Sequence, residues 1–121
     1  MKKTVIIGAA NNPSRYAYMA GQMLTQYGHE IVPVGIRKGE MLGKEILDIR
    51  ERPEIKDVDT VTMYINPQRQ EEWREYILSL NPKRIIFNPG TENEKFEEEA
   101  EKKGTEAIEA CTLVMLRSNQ Y

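Results

Sequence analysis

The stretch Thr4–Arg15, with the sequence T-V-I-I-G-A-A-N-N-P-S-R, sets the interpretation of the whole chain. It starts with a short, continuous apolar run and then changes to small residues, amides and a proline. A continuous apolar run without alternation is typical of a strand that is buried on both faces of a parallel sheet. The small residues and the proline predict a loop that leads into a helix. The stretch is therefore interpreted as a strand, a loop and a helix start.

The same alternation of strand-like and helix-like segments continues along the chain. Apolar runs predict strands at Thr4–Gly8, Glu30–Val34, Thr60–Ile65 and Arg84–Phe87, with weaker ones at Glu45–Leu47 and Thr105–Glu109. Helical periodicity predicts helices at Pro13–Tyr27, Pro67–Leu80 and Glu94–Lys103, and a short last helix at Cys111–Leu116. This order predicts right-handed βαβ units. We expect an α/β, Rossmann-like, doubly wound, mostly parallel sheet of five or six strands, with helices on both faces.

Length and composition narrow the class of protein. The 121 residues suit a single domain over residues 1–121, and the net charge of -2 gives no general attraction to nucleic acid. No apolar run is long enough to cross a membrane, and Met1-Lys2-Lys3 leads straight into a strand rather than into a secretory signal. The single cysteine, Cys111, cannot form an internal disulfide. We therefore expect a cytoplasmic protein that binds neither nucleic acid nor membrane.

Asparagine-proline pairs follow three of the predicted strands, at Asn12-Pro13, Asn66-Pro67 and Asn88-Pro89-Gly90. In open α/β sheets the ligand crevice lies beyond the carboxyl ends of the strands, where the strand order reverses. Asparagine at the N-cap with proline at the first helical position is also an ordinary way to start a helix. The pairs thus have two interpretations, as helix starts or as turns that present amides and N–H groups to one ligand.

The first loop has the features of a phosphate-binding turn. Small residues let the backbone approach a pyrophosphate, and the following helix offers free N–H groups and the positive end of its dipole. Arg15 in the first helical turn would add a charge-assisted contact. The loop is neither the G-x-G-x-x-G fingerprint nor a P-loop. The candidate cofactor-binding residues here are Gly8, Ala9, Ala10, Asn11, Asn12, Pro13, Ser14 and Arg15.

The end of the second predicted strand distinguishes between nucleotide cofactors. An NAD-binding unit carries an acidic residue near this point to hold the ribose hydroxyls. This chain has Gly35 followed by Arg37 and Lys38, and no carboxylate. Two cations suit an additional phosphate on the ribose, as in NADP or in the 3′-phosphate of coenzyme A. The alternative is that they are solvated loop cations.

Three segments together resemble the stand-alone CoA-binding domain proteins, which are similar to the N-terminal domain of the succinyl-CoA synthetase α subunit. These segments are G-A-A-N-N-P-S-R-Y (8–16), G-H-E-I-V-P-V-G-I-R-K-G-E-M-L-G (28–43) and I-I-F-N-P-G-T-E-N (85–93). The resemblance covers essentially the whole chain and implies coenzyme A as the cofactor. It implies that residues 8–15 hold the phosphates and that Lys38, with Arg37, meets the nucleotide end. Along the adenine and pantetheine path it implies Ile65, Asn66, Pro67, Asn88, Pro89 and Gly90.

The chain departs from that family in two places. Gly35-Ile36 stands where the family often has Asn-Pro after the second strand, so the resemblance specifies the contacts at that point less closely. The synthetase continues into a catalytic domain with a phosphorylated histidine, and we expect this chain to lack that machinery.

The remaining reactive residues predict no catalytic centre. His29 would be a surface residue at the amino end of the sheet rather than a catalytic one. Cys111 would be a buried small hydrophobe rather than a thiol that pairs with CoA, and Trp73 and Tyr76 would pack in the core. No residues have metal-ligand spacing. We expect a module that binds CoA or acyl-CoA without catalysis. It would serve as a sensor or as a subunit that presents CoA to a partner enzyme. The chain could act as a homo-oligomer or with that partner. The alternatives are a small NADP-binding reductase and a ligand-less interaction domain.

Overall fold

The computed structural model describes all residues, Met1–Tyr121. The eight strands are β1 (Thr4–Ile7), β2 (Ile31–Gly35), β3 (Glu40–Met41), β4 (Lys44–Glu45), β5 (Leu47–Asp48), β6 (Thr60–Met63), β7 (Arg84–Phe87) and β8 (Glu106–Glu109). The four α-helices are α1 (Tyr16–Gln26), α2 (Pro67–Ser79), α3 (Glu94–Lys102) and α4 (Thr112–Arg117), and a 3₁₀ helix covers Ile49–Glu51. No helix is both long and apolar enough to cross a membrane.

Six strands form one sheet in the order β5-β2-β1-β6-β7-β8, and every neighbouring pair is parallel. From β1 the chain builds outward to β2 and β5 on one side, and from β6 to β7 and β8 on the other. The strand order therefore reverses between β1 and β6. This arrangement confirms the expected Rossmann-like, doubly wound fold. We call the edge formed by the residues that follow Ile7, Gly35, Met63 and Phe87 the carboxyl rim.

Successive side chains of β1 enter cores on opposite faces of the sheet. Val5 and Ile7 belong to one buried cluster, which includes Trp73 of α2 and Phe96 of α3. Ile6 faces the other cluster, formed with residues of α1 and α4. Burial on both faces explains why the strand segments are continuously apolar. Trp73 and also Tyr76 lie in the core, as expected from the helical periodicity.

Helix α1 begins at Tyr16, three residues later than the predicted start at Pro13. The Asn12 side chain accepts hydrogen bonds from the Ser14 N–H (3.1 Å) and the Ser14 hydroxyl (2.7 Å). The Arg15 N–H donates to the Asn12 carbonyl at 2.9 Å. Asn12 therefore closes a separate turn instead of capping the helix, and the extended backbone of Arg15 (φ -88°, ψ 143°) follows that turn.

The segment predicted as one strand, Glu45–Leu47, is divided between two sheets. Its first part pairs in an antiparallel hairpin of β3 and β4, and its last part enters the main sheet beside β2. The hairpin turn is Leu42-Gly43, with φ values of 55° and 79°, as two-residue hairpin turns require. Met41 is fully buried beneath the hairpin against Gly21, where a β-carbon would lie 2.6 Å from the Met41 Cε. The packing of Met41 against α1 explains why so short a hairpin is ordered.

Candidate functional site

The loop after β1 lies against the loop after β6, at the point where the strand order reverses. Gly8 has a φ of +99°, and a β-carbon there would lie 3.0 Å from Ile65 Cγ2 and 3.1 Å from the Tyr64 carbonyl carbon. The Tyr64 N–H donates to the Ile7 carbonyl at 2.9 Å, which holds the two loops together. Both the backbone conformation and the close approach favour glycine at position 8. Gly8 and Ile65, predicted separately, are therefore neighbours.

The same loop also lies against the end of β2. The N–H groups of Gly8 and Ala9 both donate to the Val34 carbonyl, at 2.9 and 3.0 Å. A β-carbon on Gly35 would come within 2.4 Å of the Ala9 carbonyl oxygen. Arg37 and Lys38 come after Ile36 and are exposed. The predicted phosphate loop and the predicted cation pair thus leave the sheet side by side on the carboxyl rim.

The N-terminus of α1 faces this rim with uncapped N–H groups. Arg15 occupies the N-cap position without a side-chain capping bond, and no acidic residue lies in the first turn. The N–H groups of Tyr16, Ala17 and Tyr18 have no acceptor within the chain. Unpaired N–H groups at the positive end of the helix dipole favour an anion.

Asn66 and Pro67 start helix α2 in the way the helix-start interpretation predicts. The Asn66 Oδ1 accepts from the Arg69 N–H at 2.9 Å, and Pro67 is the first helical residue. Ile65, just before them, is half-buried. The Asn66 side chain therefore serves the helix, while Ile65 and Pro67 form the adjoining surface of the rim.

The amide of Asn88 is engaged entirely within the protein. Asn88 is buried, its Nδ2 donates to Thr62 Oγ1 and to the Met63 carbonyl at 2.8 Å each, and its Oδ1 accepts from the Thr112 N–H at 2.9 Å. These bonds join β6, β7 and the start of α4. Pro89 and Gly90 are the exposed residues of this turn. The buried side chain of Asn88 therefore stabilises the strand ends that form the rim and does not contact the surface.

Gln70 joins two loops of the rim and was not identified from the sequence. It is fully buried, and its Nε2 donates to the Ile65 carbonyl (2.9 Å) and to the Thr91 carbonyl (2.7 Å). Its Oε1 accepts from Asn93 Nδ2 at 2.9 Å. A polar residue on the sheet-facing side of a helix is the only sequence signal of such a role. Gln70 fixes the distance between the β6–α2 loop and the β7–α3 loop.

The neighbouring strand β5 brings a carboxylate to the end of β2, where the sequence predicted none. Asp48 pairs with Gly35 in the sheet register. Its Oδ1 and Oδ2 accept from Arg50 Nε (2.9 Å) and Nη2 (3.0 Å), and Nη2 also donates to the Ile36 carbonyl at 3.2 Å. These bonds from Arg50 lower the pKa of the Asp48 carboxyl below its usual value. The prediction considered β2 alone, whereas the acidic residue comes from another strand.

His29 lies where it was expected, whereas Cys111 departs from the burial expected of it. His29 lies at the amino edge of the sheet and is half-buried, with Nδ1 accepting from the Lys2 N–H at 2.9 Å and its ring 4.9 Å from that of Tyr121. Cys111 is half-buried rather than enclosed, because it stands at the start of α4 where the chain leaves the sheet. No three His, Cys, Asp or Glu side chains cluster as metal ligands would.

A broad surface depression lies at the amino edge, opposite the rim. It has a volume of about 870 Å³ and its lining includes Lys3, Asp59, Asn81 and Lys83. Helices α1, α2 and α3 begin after the carboxyl ends of strands and end towards this edge, so their negative dipole ends face it. Such a setting disfavours phosphate. Chemistry and topology therefore favour the carboxyl rim over this depression as the candidate site.

Known proteins share the sequence pattern and the fold of this chain. The sequence pattern of the CoA binding domain matches residues 2–117. A crystal structure of an uncharacterized protein is 56% identical over 100% of this chain and 98% of that chain, with a TM-score of 0.97. A conserved hypothetical protein from Pyrococcus furiosus is 28% identical over 94% of this chain and 98% of that chain, with a TM-score of 0.80.

More distant structures share the fold. A hypothetical protein from Pyrococcus horikoshii OT3 is 22% identical over 97% of this chain and 82% of that chain, with a TM-score of 0.83. A Rex-family repressor has a TM-score of 0.59 at 14% identity; this chain spans 57% of its length. No curated protein matches the sequence.

Proposed function

This chain belongs to the CoA binding domain family, and on that premise we propose that it binds coenzyme A or acyl-CoA along its carboxyl rim. One observation supports the position most strongly: the carbonyl of Ala9 lies against Gly35. That contact places the loop before α1 beside the cations that follow β2. A ligand with phosphates at two places, as in coenzyme A, fits such a pairing of an amide-rich loop with a separate cationic segment.

The pyrophosphate is assigned to residues 8–15 and the first turn of α1. The small side chains of Gly8, Ala9 and Ala10 let the backbone approach the ligand, and the unpaired N–H groups of the helix supply donors. Arg15 is exposed and adds a positive charge next to them. No carboxylate in the first turn of α1 competes with the phosphate for these donors.

The 3′-phosphate of the ribose is assigned to Arg37 and Lys38. Both are exposed, and neither forms an ion pair within the chain. The pantetheine arm then crosses the switch point along Ile65 and Pro67 towards Pro89 and Gly90, a path supported by the contact between Gly8 and Ile65. Asn66 and Asn88 contribute by holding these turns in place.

We further propose that the protein binds its ligand without transforming it, as a sensor or as a subunit that presents CoA to another enzyme. Tyr64 follows β6 at the switch point, and burial raises its pKa to about 12, which disfavours proton release near neutral pH. His29 lies at the opposite edge of the sheet. Neither residue is therefore placed to act as a general base on a ligand at the rim.

The proposal is tested by isothermal titration calorimetry with CoA, dephospho-CoA and NADPH. We expect CoA to bind, dephospho-CoA to bind more weakly, and the double variant Arg15→Ala/Lys38→Ala to lose most of the affinity. Lys56→Ala is the matched control, because Lys56 is exposed and lies at the amino edge. Absence of CoA binding at millimolar concentration would refute the proposal. Binding of NADPH in its place would favour a reductase, and binding of no nucleotide would favour an interaction domain.

A further inference from the structure

Arg50 is held in a fixed orientation at the carboxyl end of β5. Its Nε and Nη2 donate to the two carboxylate oxygens of Asp48, and Nη2 also donates to the carbonyl of Ile36. Asp48 in turn accepts from the Arg50 backbone N–H at 2.9 Å, so the pair is joined at both ends. A planar guanidinium bound in this bidentate manner has a defined direction.

One edge of the Arg50 guanidinium forms no hydrogen bond within the protein. A guanidinium has five N–H donors, and the bonds to Asp48 and Ile36 occupy three of them, which leaves both donors of Nη1 unpaired. The Arg50 side chain is 59% exposed, so these donors are accessible. The carbonyl it holds belongs to the residue just before Arg37, which places Arg50 beside the proposed 3′-phosphate site.

We propose that Arg50 joins Arg37 and Lys38 in holding the 3′-phosphate, by donating both Nη1 N–H groups to it, and that Arg50 contributes most to the distinction between CoA and dephospho-CoA. This inference rests on the proposed function and adds a specificity-determining residue to it. Arg37 and Lys38 are unpaired and lose side-chain freedom when they bind a ligand. Arg50 has already lost that freedom, so its contact with a phosphate costs less entropy.

The charge of Asp48 does not prevent this role. Arg50 neutralises the carboxylate through two hydrogen bonds, and Lys38 is near enough to contribute to the low pKa of Asp48. The three cations Arg37, Lys38 and Arg50 outnumber the two carboxylates that act on Arg50, which are Asp48 and Glu51. The local field therefore remains favourable to a phosphate dianion.

The test compares the ratio of the dissociation constants of dephospho-CoA and CoA in the full chain, in Arg50→Ala and in Arg50→Lys. We expect Arg50→Ala to weaken CoA binding about tenfold or more while dephospho-CoA changes little, since a charge-assisted hydrogen bond contributes on this scale. Lysine keeps the charge but cannot make the bidentate pair, so Arg50→Lys should also lower the ratio. Lys56→Ala again controls for the loss of one positive charge.

The outcomes separate this inference from the proposed function. If the unmodified protein binds no CoA, the proposed function fails and the role of Arg50 fails with it. If the unmodified protein prefers CoA but Arg50→Ala leaves the ratio unchanged, or weakens both ligands equally, only the role of Arg50 is refuted. Thermal unfolding of each variant verifies that the fold is retained, which the exposure of Arg50 leads us to expect.

Discussion

The Ala9 carbonyl oxygen lies where a β-carbon on residue 35 would approach it to 2.4 Å, so Gly35 is the only residue type that this contact accepts without movement. The obstacle is backbone rather than a flexible side chain, and it cannot rotate away. The proposed phosphate loop and the proposed cation pair are therefore held together at a point where the end of β2 has no room for a side chain.

Gly35→Ala is predicted to separate the loop after β1 from the end of β2. We expect a loss of about 1 to 3 kcal/mol in the free energy of unfolding, because the backbone must shift to relieve the clash. CoA affinity should fall more than stability alone explains. Urea unfolding and calorimetry measure the two effects.

Gly104→Ala is the control for this prediction. Gly104 has a φ of +86°, and an added β-carbon there would have no atom within 4 Å. Alanine at this position therefore strains the backbone without a clash, and the strain lies far from the rim. It should reduce stability by about 1 kcal/mol and leave CoA binding unchanged. Equal effects of the two substitutions on binding would contradict the role assigned to the contact at Gly35.

Asn88→Ala is predicted to cost about 3 kcal/mol of stability. The substitution leaves the Thr112 N–H, the Thr62 hydroxyl and the Met63 carbonyl without their amide partner in a buried setting. Asn66→Ala removes only one capping bond at an exposed helix start and should cost about 1 kcal/mol. Similar losses for both variants, measured by urea unfolding, would be inconsistent with the bracing role of Asn88.

Stability is predicted to rise with pH through the titration of His29. Burial lowers the pKa of His29, and the positive charges of the N-terminus, Lys2 and Arg84 lower it further from 6.5. Between the lowered pKa and 6.5 the unfolded chain binds more protons than the folded chain, so the free energy of unfolding increases as pH rises through this window.

His29→Asn should remove this part of the pH dependence, because an amide oxygen can accept from the Lys2 N–H but does not titrate. Unfolding free energies at about pH 5 and pH 7.5 for both proteins isolate the contribution of His29. Burial raises the pKa of Glu97, which gives a pH dependence of the opposite sign, but that term is common to both proteins and cancels in the difference. Equal slopes would show that His29 does not contribute.

Much of the fold could be predicted because its determinants are local. Buried parallel strands require continuous apolar runs, so β1 and β7 were located within a residue, and the amphipathic pattern located α2. The strand predicted at Thr60–Ile65 ends at Met63, because Tyr64 and Ile65 turn to meet Gly8.

The remaining features depend on contacts between distant residues, which have no local signal. Asp48 reaches the end of β2 only because β5 pairs there. Tyr121 packs its ring 4.3 Å from the guanidinium of Arg84, and its hydroxyl is hydrogen-bonded to Thr4. A β3–β4 hairpin with strands of two residues is too short for a recognisable period.

The two hydrogen bonds donated by Gln70 fix the part of the rim formed by the β6–α2 and β7–α3 loops. The carbonyls of Ile65 and Thr91 both accept from this one buried amide. If either loop opened, a buried hydrogen-bonding group would lose its partner, which costs about 1 to 3 kcal/mol of free energy. Residues 11–15 are exposed and are held mainly by local bonds within their own turn. We therefore expect the turn at residues 11–15 to adjust to ligands of different shape, while the two loops that Gln70 joins keep their conformation.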